Sequence, residues 1–135
     1  MSPERARDAL GRPLPHDADP ALAVPGVAPR AVISDDEAWC EGLDYLDRGL
    51  PFHAHEVFEM RWRQAPVDER DAWRALAKWG AALTHRARGN DVGARTVAAS
   101  ALGLLERSAV PGCVDVGLVR ASLTELQAVS ASDDD

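Results

Sequence analysis

Lysine is all but missing from this chain: Lys78 stands alone, and the other basic residues are arginines scattered from end to end. With 22 acidic against 15 basic residues the formal net charge is −7. Phosphate contacts need clustered Lys and Arg, so a nucleic-acid-binding surface is not expected. Cysteine is equally scarce. Cys40 and Cys113 lie far apart, with no CxxC spacing, which excludes a thiolate zinc site and a disulfide framework. Both are expected to be reduced, buried and inert. No run of about 18 apolar residues exists, so no membrane span is expected. The N-terminus lacks a charged segment followed by an apolar one, and the expected setting is the cytoplasm.

What is present is enough apolar residue for one core, 46% of 135 residues. Six of the nine prolines crowd into residues 1–33, at positions 3, 13, 15, 20, 25 and 29. No helical or alternating period survives there. The segment reads as an extended Pro-rich arm, with Leu10, Leu14, Val24 and Val27 available to lie against a folded body. Residues 34–129 form that body, and the acidic end, 130–135, is expected to fray.

The body is predicted to be all-α, a compact bundle of about five helices. Ser34 with Glu37 three residues on forms a capping box, and Asp35 and Asp36 complement the dipole of the first turn. Gly49 ends that helix and Pro51 opens the next. Ala65-Pro66 stops the second helix, and Asp68 is the expected N-cap of the third. In the third helix Ala77, Gly80 and Ala81 are small enough to admit another helix at close range. Gly89-Asn90 is so short a connection that the fourth helix, from Asp91 to about Arg107, must run antiparallel. Pro111-Gly112 punctuates, and a last helix begins near Asp115.

The second helix carries the chemistry. At about 100° per residue, His55, Glu59 and Trp62 fall within a sector of roughly 60°, flanked by Phe52 and Phe58. This predicts an apolar stripe that contains an imidazole and a carboxylate. Glu56 and Arg63 sit at its rim, and His53, Val57, Met60 and Arg61 face away. A buried polar pair left unmatched costs about 1–3 kcal/mol or more, so His55 and Glu59 must meet each other, a neighbouring helix, a metal or a ligand. His85 and Arg88, near the end of the third helix, are the candidates to complete an internal polar cluster.

A metal site built from His55, Glu59 and His85 is the first sharp reading, with a divalent cation as cofactor. Its spacing departs from the established helical templates, and only one helix supplies the pattern. Acid–base catalysis is the second. No nucleophile joins the pair, since Ser100, Ser108, Thr84 and Thr96 are isolated hydroxyls on helices. The leading expectation is a non-enzymatic binding or scaffold module, as a homo-oligomer or with a protein partner. The rival is a metal- or carboxylate-dependent enzyme, hydrolase-like, at the same residues. Trp79 leaves the main apolar side of its helix and is a candidate for an oligomer or partner contact.

Phe52-His53-Ala54-His55-Glu56-Val57-Phe58-Glu59-Met60-Arg61-Trp62, followed by Trp73, Leu76, Ala77, His85, Arg88-Gly89-Asn90 and Gly93-Ala94, resembles the DUF309 family of small all-α bacterial proteins. That family's signature is His-Glu-x-x-Glu-x-x-Trp and a Leu/Ala-rich helix ending in a Gly-Asn turn. His55, Glu56, Glu59 and Trp62 match the first part, and His85, Gly89 and Asn90 the second. The arm's Ala-Leu-Gly-Arg-Pro-Leu-Pro is similar to the extension of actinobacterial members. Trp79 departs from the pattern, which implies a smaller or aliphatic residue there. The resemblance implies the fold and leaves the chemistry open.

Overall fold

A computed structural model of the chain describes residues 6–128; the acidic end falls outside them. Five helices follow one another: α1 (Asp35–Asp47), α2 (Pro51–Gln64), α3 (Arg70–Ala87), α4 (Asp91–Glu106) and α5 (Val116–Ala128). No strand occurs among the described residues, and none of their helices is long and apolar enough to cross a membrane. The all-α bundle expected from the periodicity is the observed fold.

Local chemistry sets the ends. Ser34 Oγ accepts from Glu37 N at 3.1 Å and Glu37 returns the contact to Ser34 N at 2.9 Å, closing the capping box. Asn90 and Asp115 cap α4 and α5 through Gly93 N and Leu118 N. Gly49 and Gly89 follow α1 and α3 with φ of 73° and 82°, a backbone that glycine adopts without strain. One expectation fails by a residue: the N-cap of α3 is Glu69, and its side chain makes no cap hydrogen bond.

Two bare backbones permit the packing of α2. A Cβ built on Gly80 would lie 2.8 Å from His55 Cα and N, so α3 meets α2 at backbone distance. On the other side, a Cβ on Gly42 of α1 would lie 2.3 Å from the Phe58 ring. Phe58 is fully buried, and its ring centroid lies 6.4 Å from Trp39, 6.2 Å from Trp73 and 6.1 Å from Trp79. Offset aromatic pairs at such separations add about 0.5–1.5 kcal/mol each to the area they bury.

This packing corrects two expectations. Trp79 is not a surface residue poised for a partner: it is 2% exposed and its Nε1–H donates to Ser122 Oγ of α5 at 2.8 Å. Because α3 is enclosed by α1, α2, α4 and α5, it buries more than one stripe, and a single-face reading excluded Trp79 wrongly. Cys40 is exposed rather than buried, on the solvent side of α1. Cys113 is half-buried, and burial, with Asp36 beside it, pushes its thiol up to about 11.

The arm lies against the body. Apart from a 3-10 turn at Pro20–Leu22 and an isolated bridge between Arg7 and Pro13, residues 6–33 have no regular structure. Gly11, with φ of 78°, places its backbone where a Cβ would lie 2.3 Å from the Phe52 ring of α2. Ile33, the last residue before α1 and its cap, is fully buried.

Two outcomes check this packing. Gly80→Ala is expected to lower stability by about 1–3 kcal/mol in chemical denaturation, because the clash with His55 backbone outweighs a helix-propensity gain of up to about 1 kcal/mol. In thiol labelling of folded protein at pH 8, Cys40 is expected to react at least tenfold faster than Cys113, since the thiolate is the nucleophile and Cys113 is mostly protonated and half-covered.

Candidate functional site

The buried side of α2 differs from the predicted stripe. Ala54, Val57 and Phe58 are fully buried and His53 is 2% exposed, whereas the His55 and Glu59 side chains keep 26% and 31% of their exposure. His53 and Val57, expected on the far side, therefore face the interior. The physical reason is that α2 is covered on several sides: by α1, by α3, and along the remaining edge by the arm. The aromatic-and-imidazole sector marks the boundary between α3 and the arm, not the centre of the core.

His53 holds the arm. Its Nε2–H donates to the carbonyl of Pro25 at 2.8 Å, and its ring lies 5.4 Å from Tyr45 of α1. Nδ1 is then a bare acceptor, buried and without a partner among the described residues. His55 points the other way. Its Nδ1–H donates to the Ala77 carbonyl of α3 at 2.8 Å, and its Nε2 stands 3.1 Å from Glu59 Oε2. Glu59 Oε1 accepts from Arg63 Nη2 at 2.5 Å. Two acceptors flank the ring, so both contacts become hydrogen bonds when both ring nitrogens carry protons. His55, Glu59 and Arg63 thus form a continuous row along α2, tied at one end to the backbone of α3.

The other predicted members stand apart from this row. Arg88 donates through Nε, at 3.2 Å, and Nη2 to the carbonyl of Leu10 in the arm. His85 Nδ1 lies 3.0 Å from Asn90 Nδ2, at the α3–α4 turn. Both line a small hollow of about 130 Å³ with Phe52, His55, Ala81 and Thr84, but neither bonds to His55 or Glu59. Trp62 is half-buried under the Arg74 guanidinium, which lies 5.8 Å from its ring centroid. Glu56 sits on the edge of α2 facing the arm. Among the described residues no group of three or more His, Cys, Asp or Glu side chains is gathered as metal ligands would be.

Between α2 and the arm runs a trough in two connected parts. One, about 480 Å³, is lined by arm residues around Arg7 and Val24–Val27 and by Phe52, His53 and Glu56. The other, about 700 Å³, is lined by Val27, Pro29 and Arg30 and by Glu56, Glu59, Met60, Arg63 and Gln64. Val27 and Glu56 belong to both parts. Arg30 is bound in a bidentate pair with Glu41 of α1 at 2.7 and 2.8 Å, and Gln64 bridges the Arg30 carbonyl and the Ile33 amide at 3.0 and 2.8 Å.

A second polar constellation, which sequence reasoning missed, lies where the arm enters α1. Asp35 Oδ1 accepts from Arg61 Nε at 2.7 Å and from Trp73 Nε1 at 3.0 Å, while Arg61 Nη1 donates to the Ile33 carbonyl at 3.0 Å. Asp35 had been read only as a dipole-complementing residue. Its partners lie 26 and 38 positions away, and nothing local announces them. Glu69 joins this group with Oε1 buried and unmatched among the described residues. Burial holds its carboxyl above the usual carboxylate range, and a hydrogen bond with Asp35 and the charges of Asp35 and Asp68 push the same way, against Arg61.

The sign of that shift gives a pH dependence. A carboxyl raised in the folded state contributes stability below its unfolded pKa and loses it as pH rises through the folded one. Glu69→Gln, which cannot ionise, is therefore expected to narrow the fall in melting temperature between pH 4.5 and pH 8 relative to wild type, read by thermal melts at matched ionic strength.

Comparison with known proteins matches residues 39–97 to a family described as a domain of unknown function, DUF309. That span runs from α1 to the middle of α4 and contains the His55–Arg63 row. No curated protein and no solved structure matches the chain.

Proposed function

We propose, given the match of residues 39–97 to the DUF309 family, whose description assigns no activity, that the chain is a non-enzymatic binding module, with the trough between the arm and α2 as its ligand seat. One observation supports this reading above the others. The polar groups that looked catalytic are occupied with one another: His55 by Ala77 and Glu59, Glu59 by His55 and Arg63. A general base needs a lone pair turned toward substrate, and a metal ligand needs one turned toward the ion. Here both ring nitrogens face protein acceptors. The row ties α2 to α3, and its Glu59 and Arg63 line a trough whose other wall is the arm.

Each part of the trough has the dimensions of a ligand site, which typically spans about 300–1,000 Å³. A cytoplasmic setting belongs to the same reading and rests on two unpaired thiols, Cys40 and Cys113. The feature that favours the rival, a metal- or carboxylate-dependent enzyme, is the partial exposure of His55, in the small hollow beside Arg88, and of Glu59, in the trough.

Elemental analysis of protein purified without a histidine tag, with melts in the presence and absence of chelator, separates the two. The expected outcome is no stoichiometric transition metal and a melting temperature indifferent to chelator. About one equivalent of metal, lost together with stability in His55→Ala, would replace the module by the metal-dependent enzyme, because a metal bound only by the folded state adds its binding free energy to stability.

A further inference from the structure

Resting on the reading of the trough as a ligand seat, we infer that it takes an alkylammonium or alkylguanidinium group, with the cation against Glu56 and its apolar stem along Val27, Phe52 or Met60. The argument begins with the charges that line the trough. Asp8 accepts from Arg12 Nε and from the amides of Leu10 and Arg12 at 2.9–3.0 Å. Arg7 donates to the Gly11 carbonyl at 2.6 Å, Arg30 is held by both oxygens of Glu41, and Arg63 is held by Glu59. Glu56 is different. It is half-buried, it borders both parts of the trough, and it has no hydrogen bond or ion pair among the described residues.

A carboxylate partly removed from water and left without a counter-charge gains from any cation that reaches it, and a charge-assisted hydrogen bond is about twice as strong as a neutral one. An anion would meet the like charge of Glu56, which borders both parts of the trough. A wholly apolar ligand would dehydrate Glu56 further with nothing in return. Opposite Glu56 the arm presents Gly26, where an added Cβ would lie 3.8 Å from Glu56 Oε1. The absence of a side chain there keeps the carboxylate open to the trough. The same chemistry is presented by a free amine and by a lysine or arginine side chain.

The experiment titrates full-length protein with pentylammonium and with Nα-acetyl-lysine methylamide, followed by calorimetry and by amide resonances. Saturable binding is expected, with shifts at Glu56, Val27 and Met60. Glu56→Gln is expected to weaken it by about tenfold or more, with an unchanged melting temperature because Glu56 makes no bond to lose. Gly26→Leu, which leaves the carboxylate in place and fills the space before it, is expected to weaken it likewise. Asp44→Asn, at an exposed pair on α1, serves as the control and should bind as wild type does. Tighter binding of the lysine derivative than of pentylammonium identifies a basic side chain as the source; the reverse order identifies a free amine. Equal affinity in Glu56→Gln and wild type, or no saturable binding of either cation, overturns the assignment. Hexanoate or hexanol shifting the same resonances when the cations do not would overturn the cation and leave the seat standing, and the seat's parent reading falls separately, on the metal equivalent.

Discussion

Everything about this bundle depends on how closely α3 approaches α2. Gly80 puts its bare backbone against the backbone of His55, with no room for even a methyl group between them. That approach fixes the height of α2 relative to α3. It sets the His55 ring within reach of the Ala77 carbonyl, one turn earlier on α3, and so determines the direction in which the His55–Glu59–Arg63 row runs. From α1, Gly42 accepts the Phe58 ring in the same manner. Two glycines on two different helices thus clamp α2, and the aromatic cluster of Trp39, Phe58, Trp73 and Trp79 fills what remains.

Much of this was legible in the sequence. Helix ends are written in local chemistry, and Ser34-x-x-Glu37, Gly49-x-Pro51, Ala65-Pro66 and Gly89-Asn90 each act within a few residues of where they stand. The small residues of α3 announced a close helix contact, and Gly80 is where it occurs. The orientation of α2 was not legible in the same way. Periodicity identifies a buried face when there is one, and α2 has cover on three sides, so Phe52, His55 and Trp62 competed with His53 and Val57 for the same signal. What decides between them is the arm, whose contribution to α2 is made largely by backbone carbonyls that no side-chain pattern encodes. The Asp35–Arg61–Trp73 group was hidden for a related reason: its members come together only once α1, α2 and α3 are in place.

Paired and unpaired polar groups divide the molecule sharply. The imidazole and carboxylate that draw the eye in the sequence are matched, and their matches hold two helices and a wall together. Glu56, adjacent in sequence and read there as a rim residue within the family signature, borders the trough and has no partner among the described residues. Where a buried or half-buried group finds its partner inside the protein, its strength goes into rigidity; where it does not, its strength is available to something that arrives from outside. A histidine–glutamate pair on a helix is therefore not evidence of chemistry by its type alone.

The arm is gripped in an unusual direction. His53 takes the carbonyl of Pro25, Arg88 that of Leu10, Arg61 that of Ile33 and Gln64 that of Arg30. In each case a side chain of the helical body reaches out to the arm's main chain. Carbonyls are common to every residue, so point substitutions along the arm leave these four grips intact wherever the backbone keeps its course. A single-residue insertion or deletion is another matter, because it shifts by one position every carbonyl between it and the arm's N-terminal end and misaligns the grips there. The arm is thus permissive in its letters and strict in its spacing, and changes in the length of this segment should meet far stronger selection than changes in its composition.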